Sequence, residues 1–110
     1  MTSYIQIGNN INYVNAGSTT IKAGDVVPMG KTRIAVADCQ MEPGELGSLA
    51  LTGVWDFPAD TSAPIEFGAE VFWDNEGKKI KASKSSAEIP AGICVLAKAS
   101  SAATVRVRIN

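Results

Sequence analysis

Apolar and polar residues alternate with a period of two in several stretches of the chain, a pattern typical of half-buried β-strands. Near the C-terminus, Val105, Val107 and Ile109 fall on one face, and Arg106 and Arg108 fall on the other. The alternation predicts a strand whose apolar side chains point inward and whose two arginines point outward.

Two earlier stretches show the same period. Ile34 and Val36 alternate with an arginine and two alanines, and residues 48–57 place Leu49 and Phe57 on one parity of a single predicted strand. No stretch has the helical period over the length of an ordinary helix. We therefore expect at most one short helical turn, near Ala59–Glu66 or Ser83–Ala87.

Turn residues separate these strands at short intervals, since ten glycines and five prolines are spread along the chain. Short strands with regular turns are typical of small β-barrels and sandwiches. We predict an all-β fold, with residues 1–110 forming one small β-barrel or sandwich of short antiparallel strands. Residues 1–10 are a possible extended N-terminal arm of this single domain.

A weak internal repeat accompanies the turns. Gly24-Asp25-Val26-Val27 and Gly68-Ala69-Glu70-Val71 each place a glycine turn and an acidic residue before an apolar strand. Two related β-units closing one barrel would produce such a repeat.

The composition removes several classes of function. The chain has 110 residues, a formal net charge of -1 and no histidine. Without histidine there is no Ser-His-Asp or Cys-His catalysis, and the near-neutral charge gives no general attraction to nucleic acid or anionic membranes. Phosphate-binding and nucleophile-elbow motifs are absent as well. We predict a protein that is not an enzyme and that uses no cofactor.

The cysteines and the first residues bear on the cellular compartment. Cys39 and Cys94 lie far apart and outside any CxxC pair, which predicts two reduced, half-buried thiols. Met1–Tyr4 shows no basic region followed by an apolar run, and no stretch approaches the ~18 apolar residues of a membrane span. We expect no signal peptide and no membrane partner.

Asp74-Asn75-Glu76-Gly77 raises a choice between a cation loop and a hairpin turn. A calcium loop needs oxygen ligands at several alternating positions, whereas lysines follow this segment at once. Asn and Gly tolerate a positive φ in short loops between strands. The segment predicts a hairpin, with Gly77 as the residue of positive φ.

The lysines after this turn also have two readings. Lys78, Lys79, Lys81 and Lys84 suit a phosphate-binding patch, but no aromatic residue is interleaved with them for stacking on bases. Lysines on an edge strand deter edge-to-edge aggregation. We predict a solvated edge strand.

Two groups of apolar residues are candidates for contact with a subunit or partner. Adjacent Phe72 and Trp73 point to opposite faces of a strand, so one ring either covers a surface outside the core or stays exposed, which suits a subunit or partner contact. The alternative is a second small apolar cluster under a loop. Tyr4, Ile5 and Ile7 form a short apolar strand that either pairs as an arm with a partner's sheet edge or completes the protein's own sheet.

Blocks along almost the whole chain, in the same order, resemble a family of small tailed-phage proteins. The family has long been described as a domain of unknown function and is often labelled recombinase-like, although its better-supported role is capsid cement, or head decoration. The matching blocks are Tyr4-Ile5-Gln6-Ile7-Gly8 with Ile11 and Tyr13, Ala23 to Gly30, Ile34 to Ala37, Gly44 to Gly47, Gly53 to Pro58, Gly68 to Asp74, Ala91 to Ile93 and Val105 to Val107.

The resemblance implies a structural protein of a phage or prophage. Such a protein is made in the bacterial host cytoplasm, binds the major capsid protein on the outer surface of the virion and bridges capsid subunits. It implies a homo-oligomer, with a trimer favoured, and no catalytic, cofactor or metal residue. The candidate capsid or subunit contacts are Tyr4, Ile5, Ile7, Phe72 and Trp73.

A small β-barrel that binds a sugar or peptide is the alternative function. A recombinase is rejected, since the chain lacks a P-loop and is too short for the parallel sheet on which such enzymes are built. Departures from the family pattern are few: Trp55 replaces a phenylalanine, Phe72 a tyrosine and Ala59 a frequent lysine.

Overall fold

Nine strands account for the regular structure of the chain in the computed structural model, which describes residues 2–5, 8–84 and 87–109. They are β1 (Asn10–Val14), β2 (Val26–Met29), β3 (Arg33–Ala37), β4 (Leu46–Ala50), β5 (Gly53–Pro58), β6 (Glu70–Asp74), β7 (Lys79–Lys81), β8 (Ile89–Leu96) and β9 (Thr104–Ile109). These described residues include no helix, so the all-β prediction is confirmed.

The strands form two antiparallel sheets. The first sheet has the order β1-β4-β3-β2, and the second has the order β5-β9-β8-β6-β7. A single parallel bridge between Ala59 and Ile80 brings the end of β5 beside β7, but neither sheet closes on itself. The sandwich alternative is therefore correct, and the closed barrel is wrong.

The main core lies between the two sheets. Ile34 and Val36 of β3 pack in one cluster with side chains of the second sheet such as Phe57, Trp73 and Val107. Because β3 is central in its sheet, its other face is buried too, and Ala35 and the neighbouring alanine belong to a second cluster on the far side. That second cluster comprises Val27, Ala35, Ala37, Met41 and Leu49.

The second cluster is covered by the loops that follow β1 and β3 rather than by a third layer. Met41 is fully buried, and its side chain lies over Gly47, where an added Cβ would meet the Met41 Cγ at 2.3 Å. The buried Asn15 amide donates to the carbonyls of Met41 at 3.0 Å and Thr19 at 2.8 Å. Glycine at position 47 therefore makes room for the side chain that closes this face.

The two sheets repeat one plan, which supports the internal repeat seen in the sequence. An isolated antiparallel bridge joins Ile21 to Met41 before the turns that lead into β2 and β4, and another joins Ile65 to Lys98 before β6 and β9. Three of the four turns are glycine turns closed by an i to i+3 bond, such as the Asp25 N–H to the Lys22 carbonyl at 3.0 Å. Strands β1 to β4 thus correspond to β5, β6, β8 and β9, and β7 is an addition.

The predicted single strand over residues 48–57 is wrong. It is broken at Leu51–Thr52, where the chain leaves β4 in the first sheet and enters β5 in the second. Gly53 has a φ of 116°, and the Trp55 indole donates to the carbonyl of Thr52 at 3.2 Å. The period of two continues across the break, so alternation alone cannot detect the change of sheet.

The helical turn predicted at Ala59–Glu66 is also wrong. Asp60 accepts hydrogen bonds from the backbone N–H and the hydroxyl of Ser62, at 3.1 and 2.8 Å, which fixes a side-chain turn. Pro64 then disfavours the helical conformation for Ala63. The alternative location, Ser83–Ala87, includes residues 85 and 86, which lie outside the described residues.

Both cysteines are free, as predicted, but neither is half-buried. Cys94 is fully buried in the main core, and its thiol donates to the carbonyl of Leu96 at 3.2 Å. Cys39 is exposed on the loop after β3.

Candidate functional site: the outer face of the second sheet

The face of the second sheet that points away from the core carries an exposed apolar group. Val54, Ile93 and Leu96 are each about half exposed, and Phe67 is 76% exposed. We call this surface the outer face, and it also includes Asp56, Glu70, Phe72, Arg106 and Arg108. Exposed apolar side chains gathered on one sheet face mark an interaction surface more strongly than the same residues scattered singly.

Irregular pairing places two of these residues together. Ile93 lies opposite Arg108 and Leu96 lies opposite Arg106, with a register shift between Cys94 and Leu96. The extra residue of this bulge returns Leu96 to the face of Ile93, whereas strict alternation would bury it. Two apolar side chains of β8 therefore flank the same pair of arginines.

Phe67 extends the apolar group beyond the end of β6. It follows Ile65, which is bridged to Lys98, and precedes Ala69, whose carbonyl accepts a bond from the Cys94 N–H at 2.9 Å. These two contacts set Phe67 level with Leu96 in the neighbouring strand. Its ring lies on an exposed turn, where contact with a partner would remove its apolar surface from water.

Charged side chains lie at the centre of the outer face. The Arg106 guanidinium donates to both oxygens of Asp56, at 3.0 and 3.3 Å. This hydrogen bond and the charge of Arg106 hold the pKa of Asp56 below its ordinary value. On the next row, Arg108 lies between Val54 and Ile93. The face thus combines apolar area with oriented charge, the composition of a protein contact surface.

A groove of about 370 Å³ opens at the edge of the outer face. Phe72, Pro90 and Ile93 supply its apolar wall, and Arg33 and Glu70 are among its charged residues. Gly92 lies in the groove with a φ of 149°, and an added Cβ there would meet the Arg108 carbonyl oxygen at 2.1 Å. Glycine is required at this position because β8 and β9 approach so closely.

The candidate contact residues from the sequence occupy different places. Tyr4 and Ile5 are 80% and 83% exposed, whereas Ile7 lies outside the described residues. Phe72 is half-buried and lines the groove. Trp73 is buried, its ring centroid 6.3 Å from that of Phe57. Of the adjacent pair, Phe72 is the ring that reaches the surface.

The turn at Asp74–Gly77 is a hairpin, as predicted. It joins β6 to β7, with Asp74 opposite Lys79. Asp74 accepts hydrogen bonds from the backbone N–H groups of Gly77 and Glu76, each at 3.2 Å. These bonds, together with the neighbouring Lys81 ammonium, hold the pKa of Asp74 below its ordinary value. The residue of positive φ is Lys78, not Gly77. An added Cβ at Gly77 would instead meet the Asp74 carboxylate at 2.7 Å.

The lysine segment is the edge strand that the sequence predicts. β7 is the last strand of the second sheet, and Lys79 and Lys81 flank the fully buried Ile80. Lys81 lies 3.4 Å from an Asp74 oxygen and 3.7 Å from Glu88. These carboxylates raise the pKa of Lys81, so its charge is engaged within the protein.

Over residues 2–5, 8–84 and 87–109, no three cysteine or acidic side chains gather as metal ligands would. The same ranges contain no helix long and apolar enough to cross a membrane.

Sequence reasoning missed Val54, Phe67, Ile93 and Leu96 as surface residues. β8 contains no polar residue that would mark Ile93 as outward, whereas Val54 was detectable as an apolar residue on the parity of Asp56 in β5. Leu96 was not, because the bulge in β8 leaves no mark in the alternation. Phe67 had a signal in its position beside Gly68, at the second residue of a glycine turn.

A family model described as phage cement protein matches residues 5–109 of the chain. The chain belongs to the phage cement protein family. The family resemblance identified in the sequence is thereby confirmed. Searches of curated proteins and of solved structures found no match.

Membership places the chain among structural proteins associated with the bacteriophage capsid. For a structural protein of this kind, the candidate site to consider is a contact surface. The outer face is one such surface among the described residues.

Proposed function

We propose that the protein binds the outer surface of an assembled tailed-phage head and stabilises it by bridging neighbouring capsid subunits. The observation that carries this proposal is the match to the phage cement family over residues 5–109. The major capsid protein is the proposed partner, and the protein acts on the virion after its synthesis in the host cytoplasm.

The outer face is the first proposed capsid contact. Its apolar residues supply area to be removed from water, and Arg106 and Arg108 supply direction. The Arg106–Asp56 pair is half exposed in the free protein, so binding would bury it with its partner already in place. A paired charge costs far less to desolvate than an isolated one.

The N-terminal segment is the second proposed contact. Tyr4 and Ile5 are more exposed than any other large apolar residue of the described chain. They suit an arm that adds to a sheet edge of the capsid protein, with backbone hydrogen bonds supplying affinity and alternate side chains specificity. Together with the outer face, such an arm lets one small protein reach two capsid subunits.

The ligand-binding alternative has weaker support. The interior of the second sheet is filled by the main core cluster, and the sheet does not close into a barrel. A sugar or peptide would have to use the open groove beside Phe72. That groove is continuous with the outer face, which favours a macromolecular contact over an enclosed ligand.

The test uses expanded phage heads that lack the cement protein. Wild-type protein should co-sediment with the heads and raise the temperature at which they release DNA. Leu96→Asp, which places a charge amid the apolar group, should weaken binding at least tenfold. Ala23→Asp, at an exposed turn of the first sheet, is the matched control and should bind as wild type does.

Deletion of residues 1–7 separates the two proposed contacts. A folded truncated protein with lost or weakened binding supports the arm. Unfolding of the truncated protein would assign these residues to the fold, and unchanged binding would leave the outer face as the sole contact. Failure of the wild-type protein to bind any expanded head would contradict the proposed function.

A further inference from the structure

The edges of the two sheets are protected very unequally. Strands β1 and β2 lie at the edges of the first sheet, and β5 and β7 lie at the edges of the second. An edge strand exposes backbone N–H and C=O groups that can pair with another chain, and proteins usually block such pairing with proline, charge or covering segments.

Three of the four edges carry such protection. In β2 the Asp25 carbonyl accepts a bond from the Ala37 N–H at 2.9 Å, so alternation turns Val26 and Pro28 away from β3. Pro28 has no N–H to offer at that position. In the second sheet, β7 carries two lysines, β5 ends in a proline, and the Asp60 N–H donates to the Ile80 carbonyl at 2.9 Å.

Over residues 2–5, 8–84 and 87–109, the edge of β1 has none of these devices. Its sequence, NINYV, contains no charge and no proline. On the side that faces β4, the Asn9 carbonyl accepts a hydrogen bond from the Leu51 N–H at 2.8 Å, and the Asn15 N–H donates one to the Glu45 carbonyl at 3.1 Å. By alternation, the backbone groups of Asn12 and Val14 point away from β4. Within the described residues, neither makes a backbone hydrogen bond on that side.

We propose that two copies of the chain pair through β1, antiparallel, about a two-fold axis at Asn12. A two-fold contact requires one surface to complement itself. In this register Asn12 lies opposite Asn12 of the second copy, and Ile11 lies opposite Tyr13 of the second copy. The outward backbone groups of Asn12 then bond to their equivalents.

The side chains of β1 support this register. Ile11 and Tyr13 are half-buried and pack against the second core cluster. Since the outward groups belong to Asn12 and Val14, Ile11 and Tyr13 occupy the non-hydrogen-bonded pair, in which facing side chains approach most closely. Aromatic and β-branched side chains are favourable partners across strands. Pairing would extend the apolar cluster from one copy into the other.

The same edges explain why association would stop at two copies, instead of the trimer that the family resemblance favours. The opposite edge of the first sheet is β2, where Pro28 blocks further strand addition. Val14 and Leu46, a cross-strand pair that is 49% and 63% exposed, lie beside the proposed contact. The dimer would carry two copies of the outer face, which suits a bridge between capsid subunits and to this extent rests on the proposed function.

Sedimentation equilibrium of the full chain, without capsids, tests the pairing. We expect a reversible dimer whose mass falls to that of one chain on dilution. Asn12→Pro removes an outward N–H and no bond to β4, so it should raise the dimer dissociation constant about 100-fold while the fold is kept. Asn12→Ala retains the N–H and is the matched control, which should remain a dimer.

Amide hydrogen exchange provides a second measurement that needs no variant. The amides of Asn12 and Val14 should exchange slowly at concentrations where the wild type is a dimer and rapidly where it is a monomer. A protein that stays monomeric, or a dimer or trimer in which these two amides exchange rapidly, would overturn the pairing. Head binding is measured separately, so its loss in the wild type would contradict only the proposed function.

Discussion

The two sheets follow the same strand order, but the outward face of the first sheet is covered and that of the second is open. In the first sheet, Met41 and the loop tied down by Asn15 cover the far face and bury a second cluster. In the second sheet the corresponding face stays open and presents the apolar outer face. One repeated scaffold thus has a closed half and an open half, and the open half carries the proposed contact surface.

Met41 and Lys98 hold equivalent positions in the two sheets, and their side chains account for the difference between the covered face and the open face. Each is the second partner of an isolated bridge that precedes a turn. Met41 closes its face with an apolar side chain. Lys98 is also buried, but its ammonium donates to the carbonyls of Ala63, Ala99 and Ser100 at 3.0, 3.0 and 3.1 Å. Lysine therefore binds the loops at the end of the second sheet instead of covering its face.

Alanine at two glycine positions should produce the largest difference between the sheets. Gly92→Ala meets a backbone oxygen at 2.1 Å in a left-handed conformation, so we expect a loss of about 4 kcal/mol or more in unfolding free energy. Gly47→Ala meets side chains and not backbone, namely Met41 and the Cys39 Sγ at 3.1 Å, so we expect a loss of about 1–3 kcal/mol. Urea denaturation measures both, and equal losses would contradict the stated cause.

Replacing the buried lysine should have an intermediate effect. Lys98→Met keeps the side-chain volume but leaves three carbonyls without their shared donor, which should cost about 1–3 kcal/mol of stability. Met41→Leu, the matched change in the first sheet, alters no hydrogen-bonding group and should cost less than about 1.5 kcal/mol. If Lys98→Met were as stable as wild type, the carbonyl contacts would not be holding the loops.

Lowering the pH should reduce stability through carboxyl groups in the second half of the chain. We expect this loss to be smaller than those caused by the glycine and lysine substitutions. Hydrogen bonds from Arg106, Ser62 and Gly77 lower the pKa values of Asp56, Asp60 and Asp74, respectively. A carboxyl whose folded-state pKa is depressed stabilises the protein above its unfolded value of about 3.9, and this contribution is lost as pH falls through the folded value. The melting temperature should therefore decrease below about pH 4.

Asp74→Asn isolates one of these groups. The variant should show a shallower decrease in melting temperature between neutral and acid pH than the wild type. A variant whose melting temperature follows the wild-type pH profile would show that Asp74 has the same pKa in both states.

Much of the fold follows from local physical rules in the sequence. Alternation identifies the inward residues of β9, and Asn, Gly and lysine chemistry identifies the β6–β7 hairpin. The break at Leu51–Thr52 could not be predicted, because the period of two continues from one sheet into the other. The burial of Lys98 could not be predicted either, since its three carbonyl partners come from the chain backbone.

The proposed contact surface was less predictable than the fold. The opposite parity of Phe72 and Trp73 correctly implied that one ring leaves the core, but parity cannot say which. The shift between Val71 and Phe72 shows that strand irregularity also affects this region. Two bulges in β8, at Ala91 and at Val95, determine which apolar residues share a face, and they depend on pairing with β6 and β9.

The strand order also constrains how the chain folds. The first sheet contains no strand beyond Ala50, so it can assemble while the rest of the chain is still being synthesised. The second sheet cannot, because β5 pairs only with β9 and β9 is the last strand. Non-local pairing of this kind is slow and leaves apolar strands exposed until β9 has been synthesised. The half that carries the proposed contact surface is therefore the half that completes its folding last.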